Sequence, residues 1–221
     1  MLATFLIEIT LLVYTFLRYK LSPITRVIML ALFFLALFQL AEYSVCGRFQ
    51  LSAAAWSRMG YVAITMLPPL VVHLVLLIAK RSWQWLVWIA YASGIAWAGI
   101  FGLSQCAFTG YVCEGNYVIF QLSKAASRFY STYYYFWLGV GMALAVYFAV
   151  QSVGRVREAL VLQAMGYVVF LLPTAIIGNL NQGVRQGIPS IMCGFAILYA
   201  LILVFGILPR VLYEPKEVSD S

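Results

Sequence analysis

The stretch Ile24–Val45, ITRVIMLALFFLALFQLAEYSV, decides the fold class. It carries no charge between Arg26 and Glu42, and its 22 residues, wound as a helix at ~1.5 Å each, match the ~30 Å hydrocarbon core of a bilayer. Six further apolar segments flank it, at Leu2–Leu17, Met59–Ala79, Trp83–Leu103, Tyr130–Gln151, Ala159–Gly178 and Pro189–Leu208. Composition agrees: 64% of the 221 residues are hydrophobic, 10% are charged and mean hydropathy is +0.95. A soluble domain of this size cannot coat its surface with so few polar groups. The expected architecture is an all-α membrane protein, a seven-transmembrane-helix bundle over residues 1–212 with a short cytoplasmic tail over 213–221. The longest polar stretch, 104–128, reads as an external loop. The first segment lacks the basic leader and small-residue cleavage site of a secretory signal and is expected to remain as a helix.

Orientation follows from Lys and Arg, which concentrate in cytoplasmic loops. With the N-terminus outside, nine lie inside (Arg18, Lys20, Arg26, Lys80, Arg81, Arg155, Arg157, Arg210, Lys216) and five outside (Arg48, Arg58, Lys124, Arg128, Arg185). The net charge of +7 is therefore a signature of topology and does not call for nucleic acid. The same orientation places Cys46, Cys106, Cys113 and Cys193 on the oxidising side. One bridge among Cys46, Cys106 and Cys113 is expected, with Cys193 a small buried residue; the alternative is four free thiols.

Trp83, Trp85 and Trp88 fall at the inner start of the fourth segment, where indoles favour the headgroup level. Tyr130, Tyr133, Tyr134, Tyr135 and Trp137 crowd the outer start of the fifth, more than an interfacial belt needs, so some are expected to face inward.

Ionisable residues inside a membrane are costly and need a reason. Glu8 is read either as a site for a proton or a cationic ligand group, or as a neutral or snorkelling carboxyl. Gln39 and Glu42, three residues apart on one helical face, are expected to point into the bundle, with Arg58 or Arg128 as a basic partner for Glu42. The candidate ligand pocket adds Tyr43, Tyr61, Tyr130 and Tyr134 as walls, with Asn179 and Arg185 at a Gly-rich lip over 178–187 that reads equally well as a solvated hairpin. His73 reads as a hydrogen-bonded packing residue. Pro68-Pro69 and Pro173 are expected to kink or unwind their helices, with the freed carbonyls turned inward.

No catalytic constellation is present. The four lysines all lie outside the apolar segments, so no retinal Schiff base forms, and one histidine excludes transmembrane haem and a zinc-hydrolase cluster. No enzyme activity, cofactor or metal is expected.

Several stretches carry a likeness. They are Arg157–Gly166, a basic start followed by Gln163; Leu172-Pro173 with Gly178-Asn179-Leu180; Gly194–Ala200 with Ile207-Leu208-Pro209-Arg210; and Trp56 with Leu67-Pro68-Pro69-Leu70 and His73. Together they resemble the N-terminal seven-transmembrane sensor region of bacterial membrane histidine kinases and related signalling proteins, over nearly the whole chain. That resemblance implies a sensor whose last helix feeds a cytoplasmic domain. Here only nine residues follow Leu212, so the chain is expected to be either a stand-alone module or a piece of a longer protein. The expected function is a receptor module in the cell (inner) membrane that binds an extracytoplasmic or membrane-embedded ligand. A small secondary transporter and a non-signalling scaffold are the alternatives. Expected partners are the bilayer and an unidentified small-molecule or lipid ligand, with a cytoplasmic signalling protein and a second copy of the chain as candidates.

Overall fold

The computed structural model describes residues 1–47, 52–104, 107–113, 118–180 and 188–212, excepting the side chains of 174–175, 177–180, 188–191 and 193. The protein is mostly helical: α1 (Leu2–Arg18), α2 (Pro23–Gly47), α3 (Ala53–Thr65), α4 (Leu67–Ile78) and α5 (Gln84–Leu103) precede strands β1 (Phe108–Cys113) and β2 (Val118–Leu122). Then come α6 (Lys124–Gln151), α7 (Gly154–Leu180), α8 (Ile188–Leu201), a π-helical turn (Ile202–Ile207) and α9 (Leu208–Leu212). Among the described residues six stretches are long and apolar enough to cross a membrane: Pro23–Gly47, Ala53–Ile78, Gln84–Leu103, Lys124–Gln151, Gly154–Pro173 and Gly194–Leu212. At 17 residues, α1 is ~26 Å long, short of the ~30 Å core. The α3–α4 span is the most buried of the six and packs against α2, α5 and α6.

Three helices start five or six residues before their apolar segments, α3, α6 and α7, and for two of them a serine sets the start. The α3 helix begins at Ala53 because Ser52 Oγ accepts the Ala55 amide (3.3 Å), and α6 begins at Lys124 because Ser123 Oγ accepts the Ala126 amide (3.3 Å). Each serine satisfies one of the amides that a helix start leaves without an intrahelical acceptor.

The expected external loop contains a hairpin, a departure from an all-α fold. Strands β1 and β2 pair antiparallel, Tyr111 opposite Phe120 and Cys113 opposite Val118, with an irregularity between Phe108 and Gly110. Val118 and Phe120, two residues apart and so on one face, are both buried. Phe120 meets Phe38 of α2 (6.0 Å between ring centroids) and Tyr61 of α3 (5.5 Å). The hairpin is tied to α2 by a disulfide between Cys113 and Cys46, whose Cα atoms are 6.0 Å apart. Cys106 lies outside the described residues, as does the side chain of Cys193.

Pro68 and Pro69 break the third span at Met66, which separates α3 from α4. In an uninterrupted helix the Thr65 carbonyl would accept from residue 69, but Pro69 has no N–H. The Tyr133 hydroxyl of α6 donates to that carbonyl instead (2.8 Å), so the freed acceptor faces the bundle interior and is satisfied there. Tyr133→Phe is expected to cost about 1–2 kcal/mol by orphaning the Thr65 carbonyl. In a Pro69→Ala background, where residue 69 regains its donor, the same change should cost less than about 0.5 kcal/mol. Equal costs in the two backgrounds, measured by reversible unfolding in detergent, would refute the assignment. Pro173 differs: α7 runs through it as a single helix, so of the kink or unwinding expected there it is not the unwinding that occurs.

Candidate functional site

Gln39 and Glu42 lie on the α2 face turned to α1, and both are buried. Gln39 Oε1 is hydrogen-bonded to the Thr4 hydroxyl (2.7 Å), which also meets the Met1 carbonyl (2.5 Å). One turn along α1, Glu8 is fully enclosed (0% exposed), and neither of its carboxyl oxygens has a hydrogen-bond partner among the described residues. Glu8 is close enough to Glu42 for their charges to interact, with the Met1 amine as an opposing positive charge. Two carboxyls, an amide and a hydroxyl thus gather at one end of the α1–α2 contact. Both carboxyl oxygens of Glu8 are buried without a donor among the described residues, which suits a cationic or proton-donating group there.

Tyr61 and Tyr130 of the expected pocket take part in a second contact, on the α3 side of α2. Phe38 and Ala41, each one step and so about 100° round α2 from Gln39 and Glu42, pack against Gly60 of α3. Beyond that contact Tyr61 sits in an aromatic cluster with Phe101 (5.0 Å), Phe108 (5.2 Å), Phe120 (5.5 Å) and Tyr130 (5.7 Å). Tyr130 also meets Phe101 at 4.8 Å and Tyr134 at 5.8 Å, and its hydroxyl is hydrogen-bonded to Thr65 (3.1 Å). These separations are those of favourable edge and offset ring pairs. The observed contacts of Tyr61 and Tyr130 are thus those of packing beneath the hairpin. Of the clustered tyrosines, Tyr130 and Tyr133 are buried, Tyr134 is half-buried and Tyr135 is exposed.

Among the described residues neither Arg58 nor Arg128 forms an ion pair with Glu42. Arg58 is half-buried on α3, Arg128 is exposed in the first turn of α6, and Tyr43 is half-buried on α2. Asn179 occupies the last turn of α7, its side chain outside the description, and Arg185 with most of the 178–187 lip lies outside the described residues. His73 Nδ1 is 3.2 Å from the Tyr91 hydroxyl, the hydrogen-bonded packing role expected of it.

Two features went unread in the sequence. At the α7–α8 contact, Gln163 Nε2 donates to the Tyr199 hydroxyl, and Tyr167 packs against Phe170 and Tyr199. The Tyr167 hydroxyl is fully buried without a well-formed hydrogen bond among the described residues, although it lies within reach of Gln163. The second feature is the π turn. Such a turn shifts the backbone ladder by one residue, and such turns recur at functional sites. Here two of its carbonyls are taken by side chains: Tyr19 Oη donates to Val204 O (3.1 Å) and Arg210 Nη1 to Gly206 O (2.7 Å). Arg210 Nε also bonds Glu158 Oε2 of α7 (2.9 Å). Nothing in Ile202–Ile207 signals this winding.

The chain matches no protein-family model, no curated protein and no solved structure.

Proposed function

We propose that the chain is a seven-span sensor module of a cell membrane, N-terminus outside and C-terminus cytoplasmic, that reads a ligand bearing a positive group at Glu8 and Glu42. The observation that carries this is the placement of α1. Near its start it holds the enclosed, hydrogen-bond-free carboxyl of Glu8 beside Glu42. At its other end Tyr19 grips the π turn of the last span. Eleven residues of rigid helix, ~16 Å, separate the two contacts. A buried carboxylate costs several kcal/mol unless it is paired. A ligand cation that pairs with Glu8 therefore prefers one position of α1, and α1 in turn biases the π or α winding of the last span. This is a two-state element moved by differential affinity. A signalling role also agrees with the family resemblance, in which the last helix feeds a cytoplasmic domain.

Further support bears on topology. Glu8, Leu11 and Thr15 are buried where α1 packs along α2, so a short helix can span with Arg18 snorkelling to the interface. The Cys46–Cys113 bridge sits at the end expected outside, and the basic turns sit at the other. A cysteine placed at Thr109, with Cys106 and Cys193 changed to serine, should react with an impermeant maleimide on intact cells. Reaction only after lysis would reverse the orientation.

The ligand reading is tested with a panel of primary and quaternary ammonium compounds. At least one should raise the melting temperature of the purified protein, and Glu8→Gln or Glu42→Gln should abolish that shift. A shift that survives both substitutions, or accumulation of the compound by proteoliposomes, would overturn the sensor reading.

A further inference from the structure

The turn 79–83 joins two apolar spans, so it lies at a membrane face whichever way the chain is threaded. It closes α4 with two backbone bonds, Lys80 N–H to Leu77 O (3.1 Å) and Arg81 N–H to Leu76 O (2.9 Å). This pattern places the residue after the helix cap in the left-handed region, usually a glycine. Here it is Lys80, with φ 52°, the one non-glycine residue at positive φ among the described residues. A lysine there carries a backbone cost that a glycine would not.

Lys80 lines a groove of about 550 Å³ together with Arg81, Trp83 and Trp88, over an apolar floor that includes Leu76, Leu77 and Val87. Arg81 is held over the Phe148 ring of α6 at 5.7 Å, and Trp83 meets the same ring at 5.5 Å, so the groove wall is fixed from a third helix. Neither Lys80 nor Arg81 has a carboxylate within ion-pair distance among the described residues. The α5 helix starts at Gln84 with no side chain capping it, leaving the positive end of its dipole at the same place. Around this sit Trp83, Trp85 and Trp88, 37%, 61% and 74% exposed, at the depth where indoles meet glycerol and headgroups.

We propose that this groove binds the headgroup of an anionic phospholipid, Lys80 and Arg81 taking the phosphate and the tryptophans and apolar floor taking the glycerol and first acyl carbons. A free phosphate would use the cations but leave the indole rim and the apolar floor without a partner, so the membrane lipid is the occupant that the lining fits.

The test uses the full chain in nanodiscs of phosphatidylcholine alone or with graded phosphatidylglycerol, read by thermal shift. Phosphatidylglycerol should raise the melting temperature of the wild type. Lys80→Gly and Arg81→Gln should each weaken its apparent affinity about fivefold, the loss expected for one basic group at a lipid surface. In phosphatidylcholine alone, Lys80→Gly should melt about 2–4 °C higher than the wild type as the backbone strain is released, which separates loss of the lipid from loss of the fold. Lys20→Gln, which removes an exposed cation outside the groove, takes away only the general attraction to an anionic surface and should weaken the affinity less than either groove substitution. The proposal is overturned if Lys80→Gly and Arg81→Gln keep wild-type affinity. It is equally overturned if Lys20→Gln weakens binding as much as they do, or if inorganic phosphate stabilises the protein as well as the lipid does.

Discussion

Reduction of the Cys46–Cys113 bridge is expected to lower the melting temperature by about 5–10 °C, the largest loss any single bond of this protein should produce. The bridge closes 67 residues of chain, for which loop-closure entropy alone suggests about 4 kcal/mol. In a membrane the unfolded reference keeps much of its helix, so about 2–4 kcal/mol is the working figure. The bond also has a structural load. It pins β1 to the end of α2, which holds Phe108 and Phe120 over the rings of Tyr61 and Phe38. Cys46→Ser/Cys113→Ser should reproduce the loss, and adding reductant to that variant should change nothing further. The intact mass of unreduced protein should be lighter by the two thiol hydrogens. Four titratable thiols in denatured, unreduced protein would end both the bond and its support for an outside hairpin.

Why the spans were legible and the site only partly so comes down to where the information lies. An apolar run long enough to cross a bilayer is a local property; Ile24–Val45 and Trp83–Leu103 each became a single α-helix, and Pro189–Leu208 became a helical span wound as a π turn over Ile202–Ile207. Helix starts were misplaced at Ala53 and Lys124 because the polar first turns carry no apolar signal; the signal was the N-cap serines at 52 and 123. The hairpin was visible in principle: Val118-Ile119-Phe120-Gln121-Leu122 is rich in β-prone residues, but within a polar stretch it read as loop. The shared face of Gln39 and Glu42 followed from helical periodicity. Their neighbours Thr4 and Glu8 did not, because periodicity within one helix says nothing about which helix lies opposite. The same limit divided the expected pocket: Phe38 and Ala41 carry α3 and its tyrosines on one face of α2, while Gln39 and Glu42 carry α1 on the next. The partner of the Thr65 carbonyl was foreseeable as a need, since Pro69 creates it, but not as Tyr133 in particular. The π turn had no signal in its own residues at all.

Gly141 and Tyr167 give the second large effect. The Tyr167 hydroxyl of α7 abuts the α6 backbone where Gly141 has no side chain; a Cβ there would overlap the hydroxyl oxygen and lie 3.0 Å from Cζ of the ring. The ring cannot swing away, because Phe170 and Tyr199 flank it at 6.2 Å each and the residue is fully buried. Gly141→Ala must therefore part α6 from α7, at about 1–3 kcal/mol and a fall of about 3–10 °C in melting temperature. Glycine at a helix contact ordinarily gains stability when it becomes alanine, by about 1 kcal/mol of propensity, so the sign of the change is itself diagnostic. Tyr167→Phe alone should be nearly neutral, since the hydroxyl it deletes has no well-formed hydrogen bond among the described residues and its removal relieves a buried polar group. In Gly141→Ala/Tyr167→Phe the overlap is gone and only the tight ring contact remains. The double variant should recover more than half of the single variant's loss, a coupling of at least about 0.5 kcal/mol. Strict additivity, or a Gly141→Ala protein as stable as the wild type, would show that α6 and α7 do not meet through this pair.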